Sequence, residues 1–232
     1  MLEDDIKALL INELSRRGQI SSDSLIISEL TVGGFSRRVD LVFARPKELI
    51  AYEVKSSSDN LNRLSGQIKD YLRYFDKVVV VVDSVHIKNT LKIAPKNVAV
   101  WELRDGKFII KRRGVKTIVK DREILSSFLT SADISKLVPS EYKNFSVLDK
   151  RKLVSDRTNF KVLRGLVYEL LYRKFSATTS KLMERIDAEK SISSIDIEQL
   201  SLYIEERRTI EREKAQKSKL WKIWADELSI SA

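Results

Sequence analysis

The chain has 232 residues, 43% hydrophobic and 33% charged, with a formal net charge of +10. That length and mix describe a globular chain able to bury a core, and they exclude wholesale disorder. Cysteine is absent and His86 is the single histidine, so disulfides, thiolate chemistry, cysteine zinc sites and multi-histidine metal sites are excluded.

No apolar run approaches the roughly 18 residues that a membrane-spanning helix needs. The N-terminus, MLEDDIKALL, is acidic where a signal peptide is basic, so a cytoplasmic protein without a membrane partner is expected. The charge is uneven: residues 1–104 hold 16 basic against 14 acidic residues, and residues 105–232 hold 27 against 19. Such a surplus points to a polyanion, nucleic acid ahead of a membrane surface, while solvated helices of mixed charge are the plainer alternative.

In chain order, Ile6, Leu9, Leu10 and Leu14 recur at helical spacing, and Gly18 is a natural stop. The period then shortens. Residues 24–30 (SLIISEL), 37–44 (RRVDLVFA) and 49–55 (LIAYEVK) read as strands separated by turn-forming segments. Residues 61–75 return to helical spacing through Leu61, Leu64, Ile68, Leu72 and Phe75. The valine run 77–83 suits a strand buried on both faces. Residues 98–103 and 107–111 flank Arg104-Asp105-Gly106, which reads as a tight hairpin. The order α-β-β-β-α-β predicts an α/β fold, a mixed central sheet flanked by helices. Beyond about residue 120 the patterns are helical, which predicts two domains, 1–118 and a basic helical domain over 119–232.

Strand residues alternate faces, so Glu53 and Lys55 share one face, with Tyr52 and Val54 on the other. An antiparallel neighbour carrying Asp40 would bring a second carboxylate beside them. Two adjacent carboxylates repel unless a cation or an ammonium group neutralises them. Mg²⁺ or Mn²⁺ held by Asp40, Glu53 and the Val54 carbonyl would do so, with Lys55 orienting a water. The plainer alternative is an ordinary ion pair on an exposed strand.

Asp40, twelve intervening residues, then Glu53-Val54-Lys55, resembles the D-x(n)-E-x-K core of the PD-(D/E)XK, restriction-endonuclease-like, nuclease superfamily. Gln67 and Tyr71 are similar to a Q-x-x-x-Y element of several of its branches, and residues 37–82 resemble a little-characterised bacterial and phage branch. Val39 stands where the name-giving proline would be. The resemblance covers roughly residues 1–104. It implies a restriction-endonuclease-like core and divalent-metal-dependent hydrolysis of DNA. In it Asp40, Glu53, Lys55, Gln67 and Glu3 would be catalytic, and Arg37, Ser56 and Tyr71 would bind substrate. For the acid from the first helix, Glu3 matches the family pattern and Glu13 lies in the apolar stripe; Glu29 would instead pair with Arg37 or Arg38.

Other readings stay open at this stage. A non-cleaving module that binds nucleic acid or a partner, and an RNA-directed nuclease, use the same residues. A homodimer is compatible with paired cutting of two strands. Ser56 and Ser57 either bind phosphate or end the strand, and His86 reads as structural. Arg151, Lys152, Arg157, Lys161, Arg164, Arg173 and Lys174 suit phosphate contacts or a solvated helix face. Trp221 and Trp224 among Lys217, Lys219 and Lys222 suit base stacking or docking on the chain's own surface.

Overall fold

A computed structural model describes residues 1–34, 37–188 and 190–200; the expectation for Trp221 and Trp224 lies outside them. Six strands form one mixed sheet in the order β1 to β6: Leu25–Val32, Arg37–Arg45, Glu48–Lys55, Lys77–Asp83, Ala99–Arg104 and Lys107–Arg112. The first three pair antiparallel, β3, β4 and β5 run parallel, and β6 returns antiparallel. Each parallel step needs a crossover. Helix α2 (Leu64–Tyr74) supplies the first and α3 (Ile87–Ile93) the second.

The boundaries follow from local chemistry. Helix α1 (Glu3–Arg16) has three acids in its first turn, where the helix dipole favours negative charge, and Gly18 follows it at φ +65°. The β5–β6 turn puts Asp105 at φ 49° and Gly106 at φ 73°, the left-handed pair that a two-residue hairpin of this twist requires. The run Lys77–Asp83 is a strand with five buried valines.

Strand alternation divides the core in two. On one face Leu41, Phe43, Tyr52, Val54, Val79 and Trp101 pack with Ile6, Leu10 and Leu14 of α1 and with Ile197 of α8 (Ser194–Glu198). On the other, Val42, Ala51, Val80, Val82 and Val100 pack with Leu64, Ile68 and Tyr71 of α2. That cluster continues into α4 (Arg122–Phe128), α5 (Ser131–Leu137), α6 (Val147–Arg157) and α7 (Phe160–Asp187). Val39, two residues before Leu41, nevertheless belongs to the α2 side with Leu30 and Val32.

The 28 residues of α7 span about 42 Å. Its first half, from Leu163 to Phe175, packs on the α2 side, whereas Leu182 packs on the α1 side. The helix passes the β1 edge between them. There the Thr179 hydroxyl accepts from Ile26 N (3.2 Å) and donates to Ile26 O (3.1 Å). A strand edge is an exposed template for pairing, and α7 covers this one.

Asp76, 2% exposed, joins the helical region to the sheet. Its carboxylate accepts from Leu49 N (2.8 Å), Val119 N (2.8 Å), and Arg164 Nη1 (2.9 Å) and Nη2 (2.7 Å). The segment leading to Val119 begins at Gly114, where a Cβ would stand 2.4 Å from Ala99 N. Arg164 is therefore a buried structural cation, not a free phosphate contact. Arg151 donates to Ser126 O and to Leu129 O (3.1 Å), whereas Lys152, Arg157, Lys161, Arg173 and Lys174 are exposed, Arg173 being paired with Asp133 (2.9 Å) and Arg157 donating to the Tyr142 hydroxyl (3.2 Å).

Candidate functional site

The β2–β3 register runs from Arg45 opposite Glu48 to Leu41 opposite Tyr52. One step beyond, Val54 N–H donates to Asp40 Oδ2 (2.7 Å), so Val54 enters the cluster through its amide. Glu53 is 0% exposed. Its Oε1 accepts from Lys55 Nζ (2.6 Å) and its Oε2 from the Tyr71 hydroxyl (2.9 Å) on α2. That hydroxyl also lies 2.8 Å from Arg38 O, so its one hydrogen is shared between two acceptors. Gln67 lies one turn earlier on α2, and its Oε1 is buried without a hydrogen-bond partner among the described residues.

The electrostatics are unbalanced. Burial, then Glu53 and Glu3, push the Asp40 carboxyl well above the usual carboxylate range, against the Val54 amide and Lys55. Burial also pushes the Tyr71 hydroxyl upward, and Glu53 adds to it, which keeps Tyr71 a neutral donor. For Lys55, burial disfavours the charge but Glu53 outweighs it, and the ammonium is held more tightly than usual. A proton or a cation must therefore settle the charge that Asp40 and Glu53 share.

Of the residues anticipated at the site, Asp40, Glu53, Lys55, Gln67 and Tyr71 come together. Glu3 approaches through its charge on Asp40, and its own carboxylate pairs with Lys7 Nζ (2.6 Å). Glu13 is occupied by Arg16 (2.8 Å) and Arg17 (2.7 Å). Glu29 pairs with Arg38 at 3.8 Å. Arg37 donates through Nε to Asp70 (2.5 Å) on α2 and sits close enough to Glu53 to feel its charge. The Ser56 hydroxyl donates to Asp59 (2.6 Å), as does its amide (2.7 Å), which ties down the loop after β3. His86 lies within charge reach of Asp59.

Lys7 was missed by sequence reading. It is 1% exposed, pairs with Glu3 and Asp4 (3.1 Å), and acts electrostatically on Asp40. The available signal was an ammonium between Ile6 and Ala8, inside the buried stripe of α1, four residues after Glu3.

As a candidate metal centre the cluster fits a hard cation in a restricted way. Among the described residues no three His, Cys, Asp or Glu side chains group closely enough to hold a metal by themselves. The donors on hand, Asp40 and Glu53, are those of a Mg²⁺ site that keeps most of its waters.

The fold and the cluster define an α/β protein with a buried acid–lysine cluster at the carboxyl end of β3. The chain belongs to the bacteriophage P4 protein cII family, whose model matches residues 1–201. It is similar to "Protein cII" of Enterobacteria phage P4, 27% identical over 206 residues, covering 86% of this chain and 77% of that protein. Among solved structures it is similar to the SPO1766 protein of unknown function from Silicibacter pomeroyi. That likeness has 17% identity and a TM-score of 0.38 over 77% of this chain and 88% of the other, which is too weak to carry an argument.

These matches correct the identification drawn from the D…E-x-K spacing. The family shown for the chain is the phage cII family, not a nuclease family, so the assignment to the PD-(D/E)XK superfamily and the DNA-nuclease function drawn from it are set aside. The physical reason is that E-x-K on a strand, with an aspartate opposite, fixes where three side chains point. It does not fix a reaction. Among the described residues no helix is long and apolar enough to cross a membrane.

Proposed function

We propose that the chain is a nucleic-acid-binding regulatory protein that holds a phosphate backbone at the Asp40–Glu53–Lys55 cluster, with DNA in the cytoplasm as its first ligand. The observation that carries this reading is the cluster's combination of surplus acid and rigidly held cation at the carboxyl end of β3. A Mg²⁺ or Mn²⁺ ion at Asp40 and Glu53 would neutralise the acids and draw a phosphate oxygen to the same place. Lys55 is fixed by Glu53, and Arg37 by Asp70, so both are set in place before a ligand arrives. Arg38, with its side chain 61% exposed, adds positive charge two residues before Asp40. The net charge of +10 favours association with any polyanion. The α-β-β-β-α-β order over residues 3–83 supports a restriction-endonuclease-like core as the finer description of the fold, used here for binding.

The test is fluorescence anisotropy with duplex DNA, single-stranded DNA and RNA of one sequence, in Mg²⁺ and in EDTA. Wild type should bind DNA at low salt and more tightly in Mg²⁺. Asp40→Asn should keep the EDTA affinity and lose the Mg²⁺ gain. Lys55→Met should make the log–log salt slope shallower by about 0.9, one phosphate contact. Failure to bind at about 10⁻⁴ M, the weak end of ordinary non-specific association, sinks the reading. Tighter binding to the RNA would reassign the ligand, and scission of the probe, followed on a gel, would overturn a binding-only role.

A further inference from the structure

The sheet carries a second charge station built like the first. Glu53-Val54-Lys55 on β3 has its counterpart in Glu102-Leu103-Arg104 on β5. Both glutamates are 0% exposed, and each is held at 2.6 Å by the cation two residues on. Trp101 and Leu103 pack on the α1 side, so Glu102 projects from the opposite face, the face of Lys55. The register confirms the alignment: Lys55 is opposite Val82, and Val82 is opposite Glu102. Two strand spacings, about 9.5 Å, therefore separate Lys55 from Glu102 along one row of the sheet.

The second station differs in its balance. Glu102 meets two cations, Arg104 Nη2 at 2.6 Å and Lys111 Nζ at 3.0 Å, so the group carries one net positive charge. Burial opposes the Glu102 charge, but Lys111, Arg104 and the Ser84 hydroxyl outweigh it and keep the carboxylate ionised. The cations themselves reach outward, Arg104 with its side chain 52% exposed and Lys111 33%. Lys111 stands in the register shift of β6, between Ile110 opposite Trp101 and Arg112 opposite Val100. Such bulges re-aim a side chain at the rim of a sheet. The carboxylate is an internal anchor, and two exposed cations are fixed on it.

We infer that Arg104 and Lys111 form a second phosphate-binding station, contacting the same nucleic-acid strand that Lys55 engages, about three nucleotides of axial rise away. Glu102 positions these cations without touching the ligand. The inference rests on the nucleic-acid reading above and extends it to a track across the carboxyl ends of β3, β4 and β5.

The experiment is the salt dependence of DNA binding by the full chain, in EDTA. Removing the cations alone would strand Glu102, so the main variant is Glu102→Gln/Arg104→Gln/Lys111→Gln, neutral throughout. Arg104→Gln alone, which leaves Lys111 to balance Glu102, is the milder companion. The triple variant should lower the log–log slope by about 1.8 and the single variant by about 0.9. A wild type that binds with an unchanged slope in both variants overturns the second station and leaves the first intact. A wild type that does not bind removes the reading on which the station rests. An oligonucleotide too short to reach from Lys55 to Arg104 should lose affinity in wild type and narrow the affinity gap between wild type and the triple variant; a gap as large as with the long probe counts against a continuous track.

Discussion

Asp76 and Glu53 are both almost inaccessible to water, and they are treated in opposite ways. Asp76 is surrounded by two backbone amides and a bidentate arginine, all between 2.7 and 2.9 Å. Glu53 has one ammonium and one shared hydroxyl, with the raised Asp40 carboxyl beside it. A buried charge is tolerable when its partners are complete. Completeness at Asp76 makes it a structural bond between the sheet and α7. Incompleteness at Glu53 and Asp40 leaves a demand that a proton, a cation or a ligand must meet. The difference separates a residue that holds the fold from residues available for binding.

The largest effect that sharpens this contrast is expected at Asp76. Asp76→Ala strands Arg164, whose side chain is 10% exposed, and removes the acceptor for the Leu49 and Val119 amides. Breaking a buried pair from one side costs about 3–5 kcal/mol. In a domain of this size that lowers the melting temperature by about 10 °C, readable by circular dichroism. If Asp76→Ala melts within a degree of wild type, the distinction between complete and incomplete carboxylates fails at its stronger end.

Asp40 should behave in the reverse sense. Asp40→Asn keeps an oxygen for the Val54 amide and removes the repulsion with Glu53 and Glu3. Its stability in EDTA near neutral pH should equal or exceed that of wild type, by up to about 1 kcal/mol. Chemical denaturation measures this directly. A loss comparable to that at Asp76 would mean that Asp40 is structural.

Legibility in the sequence divides along the same line. Glu53, Lys55 and Asp40 were readable because strand alternation is a local rule and charge within an apolar strand stands out. Gln67 and Tyr71 came from the likeness to a Q-x-x-x-Y element, since a spacing of four on a helix is commonplace, and the Asp105–Gly106 turn and the valine strand from their own residue types. Asp76 with Arg164 was not readable, because 88 positions separate the partners and neither residue is unusual among its neighbours. The passage of α7 across the β1 edge was hidden for the same reason: its apolar residues serve first one face and then the other. The family was misjudged because E-x-K records a geometry shared by proteins with different roles. The second E-x-(K/R) at Glu102 was in plain view, and its meaning emerged only from the register that aligns it with Lys55.

A third carboxylate tests the comparison at the surface, where the effect should be smallest. Asp133 on α5 is as fully bonded as Asp76, by the Thr130 hydroxyl (2.5 Å) and amide (3.3 Å) and by Arg173 (2.9 and 3.1 Å), yet the Arg173 side chain is 61% exposed. The Thr130 hydroxyl, and after it Arg173, hold the Asp133 carboxyl below its usual range against the opposing effect of burial. A carboxyl lowered on folding stabilises the native state at pH above its unfolded value, near 3.9, and that contribution disappears as pH falls through the lowered native value. Asp133→Asn should therefore cost stability at neutral pH and converge with wild type in acid. Solvent screening limits the difference to about 0.5 kcal/mol, seen as a urea midpoint gap that closes as pH falls below the unfolded value. A gap as large as that of Asp76→Ala would show that the number of partners sets the strength of these carboxylates. A small gap that closes in acid would show that burial does, and that Asp76 and Glu53 matter because both lie where water cannot substitute for a missing partner.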